Sequence, residues 1–152
     1  MARIEKFEDL KVWQLSREIC RDIWHLFEMT PLGRDFELRN QMNRSSGSIM
    51  DNISEGFERN GTREFIQFLS ISKGSCGELR SQLYRALDRK HISQEQFDMI
   101  VVKTDSESKL IGSFMSYLNS ANYKGSKFTK PTSTSNHADA QNPEPETQNP
   151  EL

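Results

Sequence analysis

Cysteine is scarce in this chain, with only Cys20 and Cys76 among 152 residues. Both sit inside apolar helical patterns, and their spacing excludes a metal or redox pair, so buried free thiols are expected. Long hydrophobic runs are also missing. The N-terminal MARIEKFEDLKVW carries charges where a signal peptide needs unbroken apolar residues, and no window approaches the roughly 18 apolar residues of a membrane span. A reducing, cytoplasmic setting with no membrane partner is therefore expected.

The chemistry of catalysis is just as sparse. A carboxylate-bridged di-iron bundle needs Glu-x-x-His on paired helices, and here no Glu stands three residues before a histidine. His25 followed by Glu28 is the reverse order, and His91 and His137 fall in a turn and near the C-terminus. There is no phosphate-binding glycine loop, no zinc-spaced Cys/His cluster, and no serine in helical register with His and Asp. The chain is read as a non-enzyme with no catalytic residue, no cofactor and no metal.

Charge of one sign is likewise not in excess. Of the 22 acidic residues, four (Asp139, Glu144, Glu146, Glu151) lie after Pro131, where there is no Lys or Arg; the 18 before it face 20 basic residues. Near-neutrality argues against nucleic-acid binding by bulk charge and leaves room for a local patch. From Pro131 onward four prolines and many polar residues replace every aromatic and β-branched apolar residue. Such a segment buries too little to offset its ordering entropy. The division expected is a single bundle over residues 1–122 and a flexible tail over 123–152.

What is present is helical periodicity. From about Glu8 to Glu28, Val12, Leu15, Ile19, Ile23 and Leu26 form one stripe at steps of three and four, with Trp13, Cys20, Trp24 and Phe27 on its flank. Glu8 and Asp9 suit a helix start, and Thr30, Pro31 and Gly33 end it. A second helix, from about Asp35 to Phe57, carries Leu38, Met42, Ser46, Ile49, Ile53 and Phe57. Gly47 lies within it at a cost of up to about 1 kcal/mol relative to alanine, so a compensating close contact is expected there, with Ser46 facing another helix.

After the turn signal Asn60-Gly61, Thr62 is predicted to cap a third helix reaching about Lys90. Phe65, Phe68, Leu69, Ser72, Cys76, Leu79, Leu83 and Ala86 follow in nearly heptad spacing. Gly74, Ser75 and Gly77 repeat the small residues of the second helix, and the two patches would meet in a hairpin. Ser93 and Gln96 fit a capping box that opens a fourth helix bearing Phe97, Ile100, Val101, Ile111, Phe114, Met115 and Leu118. Thr104 and Ser108 take core positions in its middle, which is predicted to pack loosely or lie partly exposed. Short connections make sequential helices antiparallel neighbours, giving an all-α, up-down-up-down four-helix bundle.

The stretches FEDLKVWQLSREI and LRNQMNRSSGSIMDNISEGFERNGTREFIQFLSISKGSCGELRSQL resemble the four-helix-bundle family named for proteins encoded in intervening sequences of bacterial large-subunit ribosomal RNA genes. The resemblance spans roughly residues 7–120. Its most specific parts are Ser48-Ile49, Asn52-Ile53, Glu55-Gly56, Arg59, Phe65, Phe68-Leu69, Gly74-Ser75 and Glu78-Leu79. Met50 stands where the family usually has proline, and Ser45-Ser46 where a basic residue and alanine are common. The resemblance implies a homo-oligomer, a homopentamer in related proteins. It also implies contact with RNA or DNA alongside a nucleic-acid enzyme such as a reverse transcriptase, as in accessory proteins of diversity-generating retroelements. A protein scaffold that touches no nucleic acid is the alternative.

On the third helix Lys73, Gly77, Arg80 and Tyr84 fall at steps of four, three and four, placing two basic heads and an aromatic on one face. That arrangement suits phosphate contact and base stacking, and it equally describes an ordinary solvated face. Arg44, Arg59 and Arg63 add charge around the second helix and its turn. Asn52, Glu55 and Glu64 gather near Arg59, with Glu78 expected across from them. Such carboxylates are read as a structural polar network in which Glu55 or Glu78 pairs with Arg59 or Arg63.

Overall fold

The computed structural model describes residues 3–127, with side chains through residue 121. A 3-10 turn, Phe7–Asp9, precedes helix α1, Lys11–Met29; a second 3-10 turn, Pro31–Arg34, leads into α2, Phe36–Glu58; α3 runs Thr62–Asp88 and α4 Gln94–Lys127. The described residues are all-α. Of the segment expected to be a tail, 123–127 continue α4 and the remainder lies outside the described residues.

Apolar residues at steps of three and four bury one stripe of each helix. Ile19 and Ile23 of α1, Leu38, Met42, Ile49 and Ile53 of α2, Leu69, Leu79 and Leu83 of α3, and Ile111 of α4 form its fully buried centre. Each is worth about 1.5–3 kcal/mol relative to exposure. Cross-links descend along one helix as they ascend the next. Ser72, Gln82 and Arg85 bond to Ile49, Ser45 and Gln41 between α3 and α2, and Tyr84 and Phe65 pack on Phe97 and Phe114 between α3 and α4. Lys103 of α4 donates to Glu18 and Asp22 of α1 at 2.6 and 2.7 Å, closing the bundle.

Three local expectations are corrected. Glu8 and Asp9 belong to the separate 3-10 turn, and α1 starts at Lys11. Gly61, not Thr62, is the N-cap of α3, and Thr62 is its first helical residue, making no side-chain cap bond. The middle of α4 is among the most deeply buried parts of that helix: Thr104 is 1% exposed and Glu107 is 0%. The capping box at α4 forms, with Gln96 N–H donating to Ser93 Oγ at 3.1 Å and Ser93 N–H to Gln96 Oε1 at 2.9 Å.

Serines, rather than glycines, knit α2 to α3. Ser48 and Ser75 hydroxyls meet at 2.8 Å, Ser72 Oγ donates to the Ile49 carbonyl at 2.9 Å, and Ser45 Oγ donates to Gln82 Oε1 at 2.5 Å. Ser46 is buried beside α1, where Cys20 Sγ donates to its carbonyl at 3.2 Å. Gly47, Gly74 and Gly77 all look onto open space, against expectation, because a residue two places from a core position points about 200° away from it. The close approach is at Gly56, where a Cβ would stand 2.6 Å from Phe68 Cβ.

The far end of the bundle is tied by Asp35. Its Oδ1 accepts from Leu38 N–H at 3.3 Å, capping α2, and its Oδ2 accepts from Arg89 at 2.7 Å and from His91 Nε2 at 2.9 Å. Arg89, then His91, hold the carboxyl well below its usual range, at about 2. A depressed acid stabilises the fold above its unfolded value and loses that contribution as pH falls through the folded one. Asp35→Ala is expected to cost about 1.5 kcal/mol at pH 7 in urea denaturation, the deficit shrinking toward pH 3; an unchanged deficit at pH 3 would assign the loss to packing.

Candidate nucleic-acid interface

The predicted α3 stripe lies along the seam with α4. Arg80 forms an ion pair with Asp105 of α4, so its charge is already matched. Tyr84 packs against Phe97 with ring centroids 4.8 Å apart while remaining half exposed. Lys73 is different. It lines a surface depression of about 550 Å³ with Lys109, Gly112 and the hydroxyl residues Ser108, Ser113 and Ser116. No carboxylate lines it, and neither lysine has an ion pair among the described residues. Gly112 keeps it open beneath the Lys73 stem, whose Cε would stand 3.6 Å from an added Cβ.

The other basic residues are dispersed. Arg44 lines a smaller hollow of about 240 Å³ with Asn40 and Asn43. It precedes Arg59 by fifteen residues of helix and helix end, roughly 22 Å at 1.5 Å per residue. Arg59 donates to Glu55 at 3.0 Å, lies 4.0 Å from Glu64 and covers the Phe68 ring at 5.3 Å. The Glu55 bond raises the Arg59 pKa further. Arg63 is exposed and makes no ion pair among the described residues.

The polar residues read as one network divide into three. Arg59, Glu55 and Glu64 surround the turn. Asn52 Nδ2 donates to the Ser48 carbonyl at 2.8 Å and joins the Ser48–Ser75 contact in mid-hairpin. Glu78 is not opposite Glu55, since the antiparallel register carries it to the level of Ser45; there it accepts from Gln82 at 3.2 Å.

Titratable groups inside the bundle are inert rather than reactive. Burial pushes the Cys20 thiol up to about 11 and the Cys76 thiol up to about 12, the latter aided by the Glu107 charge, so both stay protonated. Glu107, which sequence reasoning overlooked, is fully buried on α4, and neither of its oxygens has a hydrogen-bond partner. Burial pushes its carboxyl up to about 8. The signal was its phase: Ile100, Thr104, Glu107 and Ile111 follow at steps of four, three and four. Among the described residues no group of three or more His, Cys, Asp or Glu could hold a metal, and no helix is long and apolar enough to cross a membrane.

Comparison with solved structures finds the same architecture in a crystal structure from Bacteroides thetaiotaomicron, described as a protein of unknown function from the S23 ribosomal protein family. The two share 25% identity and a TM-score of 0.63, over 68% of this chain and 97% of that one. Curated proteins give no match. The family profile described as 23S rRNA-intervening sequence protein matches residues 8–113, which include every basic candidate residue above. With the helices in place and most of the chain matched, the protein belongs to the 23S rRNA-intervening sequence protein family.

Proposed function

We propose that this chain is a non-enzymatic, cytoplasmic, homo-oligomeric accessory protein that holds RNA through the phosphate backbone. The observation that carries the reading is the α3–α4 depression, in which Lys73 and Lys109 face three hydroxyl residues and no carboxylate. Ammonium groups contact phosphates as point charges and hydroxyls donate to the same oxygens, positioning a strand without reading its sequence. Arg80, bound to Asp105, is not among the lining residues and adds no free charge to this contact.

The test is RNA affinity measured across a salt series. Each phosphate contact on a single strand contributes about 0.7 to the negative slope of log K against log salt. Joint Lys73→Ala and Lys109→Ala substitution is expected to reduce the slope by about 1.4 and to weaken binding about tenfold at low salt. No binding of single-stranded or structured RNA at low salt would remove the reading.

The homo-oligomeric part has its own support. Met99, Val102, Leu110 and Tyr117 lie exposed along the outer side of α4, Val102 at 64% and Tyr117 at 60%. A pentamer of such bundles presenting several lysine depressions would gain avidity for one RNA and for a polymerase such as a reverse transcriptase acting on it. The same strip favours the second reading, a protein scaffold without nucleic acid. Light scattering after size exclusion separates monomer from oligomer, and the salt series separates the two roles.

A further inference from the structure

The outer face of α1 carries a second arrangement, and from it we infer a stacking site for an unpaired base, with Trp24 as platform and Arg17 and Arg21 as the phosphate contacts. The inference rests on the chain being an RNA binder and specifies the class of RNA: single-stranded.

Trp24 is 47% exposed, yet its ring is held from several sides. Its indole N–H donates to Glu28 Oε1 at 2.7 Å, Phe27 meets it edge-on with centroids 5.8 Å apart, and the Arg39 guanidinium lies 5.9 Å from its centroid. Arg39 is itself fixed by donating to the Gly33 carbonyl at 3.2 Å. An exposed indole with so little rotational freedom loses little entropy when a flat ring stacks on it. It borders a depression of about 460 Å³ whose floor is apolar, from Met50 and the neutral Cys20 thiol, and whose rim bears Arg17, Arg21 and His25 together with Glu28, the acceptor of the indole N–H.

Arg17 and Arg21, four residues apart, share one face of α1, and neither has a carboxylate partner among the described residues. Arg17 is steadied by the Trp13 ring at 5.8 Å. Of the acids nearby, Glu18 and Asp22 bind Lys103 and Glu28 binds the indole, while Glu8 shares a hollow with Arg17 and Arg21 without an ion pair to either and Asp51 lies near Cys20. Two free guanidiniums beside a rigid indole select a ligand that combines a flat π face with a neighbouring anion. A nucleotide of an unpaired strand has both, whereas a duplex keeps its base faces stacked inside.

The experiment titrates the full chain with a fluorescein-labelled single-stranded 12-mer RNA, and separately with its duplex, following probe anisotropy and tryptophan emission together. Expected are quenching of tryptophan emission by the single strand, a loss of about tenfold in single-strand affinity for Trp24→Ala and for Arg21→Ala, and near-wild-type affinity for Trp24→Phe, which keeps a ring. Duplex affinity should change less than twofold, and circular dichroism should match the wild type. Anisotropy rising with unaltered tryptophan emission, or Trp24→Ala binding as tightly as wild type, overturns the stacking site while leaving the α3–α4 reading standing. Polyglutamate competing as well as single-stranded RNA for wild type and Trp24→Ala alike would reduce the face to a general cationic surface. Failure of both RNAs to bind at low salt removes both inferences together.

Discussion

Glu107→Met is expected to raise the melting temperature by about 10 °C at pH 8, with the gain fading as pH falls toward 4.5. The carboxyl is wholly enclosed in the bundle and neither oxygen finds a donor. Burial pushes its pKa from 4.5 to about 8. For an acid raised in the folded state, the unfolded chain releases its proton first as pH climbs. Stability therefore falls by about 1.4 kcal/mol per pH unit above 4.5 and levels off once the folded carboxyl ionises near 8. At pH 7 the deficit is on the order of 3 kcal/mol. Methionine fills a similar volume without charge, so the replacement recovers most of it.

Thermal melts of both proteins at pH 5 and pH 8 check this. A gain that is the same at both pH values would assign the effect to packing, and a loss at pH 8 would mean that the carboxylate has a partner. Asp35 responds in the opposite sense, since its bonds to Arg89 and His91 need it ionised. The two groups together favour a stability maximum between about pH 4 and 5, above the ordinary Asp35 value of 3.8 and near the ordinary Glu107 value of 4.5.

The parts of the molecule legible in the sequence were those decided locally. The Ser93–Gln96 capping box forms because both of its bonds lie within four residues. The four stripes were visible for the same reason, and with them the all-α bundle. Phase within a helix was legible too, though composition obscured it. Gly47 and Gly74 drew notice as parts of small-residue clusters, whereas Gly56 and Glu107, at core spacing from Ile49 and Ile100, were given no place in the core. Surface pairing was not legible. Arg80 finds Asp105 only through the register of α3 on α4, and Trp24 is backed by Arg39 only because the Pro31–Arg34 turn folds α2 against α1.

The same phase argument sets opposite outcomes for two glycines of α2. Gly56→Ala is expected to destabilise the bundle by about 2–3 kcal/mol, because the added Cβ would stand 2.6 Å from Phe68 Cβ and 2.9 Å from Phe65 Cδ2. The Phe68 atom is next to the backbone, so relief requires α2 and α3 to part. Phe65 cannot retreat freely either, as it packs edge-on against Phe57 at 6.0 Å and Phe114 at 5.3 Å, linking three helices. Helix propensity returns only about 1 kcal/mol of this. Gly47→Ala places its Cβ in open space and keeps the propensity gain, so it is expected to stabilise by about 0.5–1 kcal/mol. Denaturation of the two variants side by side should separate them by roughly 3 kcal/mol. The reverse ranking would move the close approach of α2 and α3 back to the small-residue cluster around Gly47.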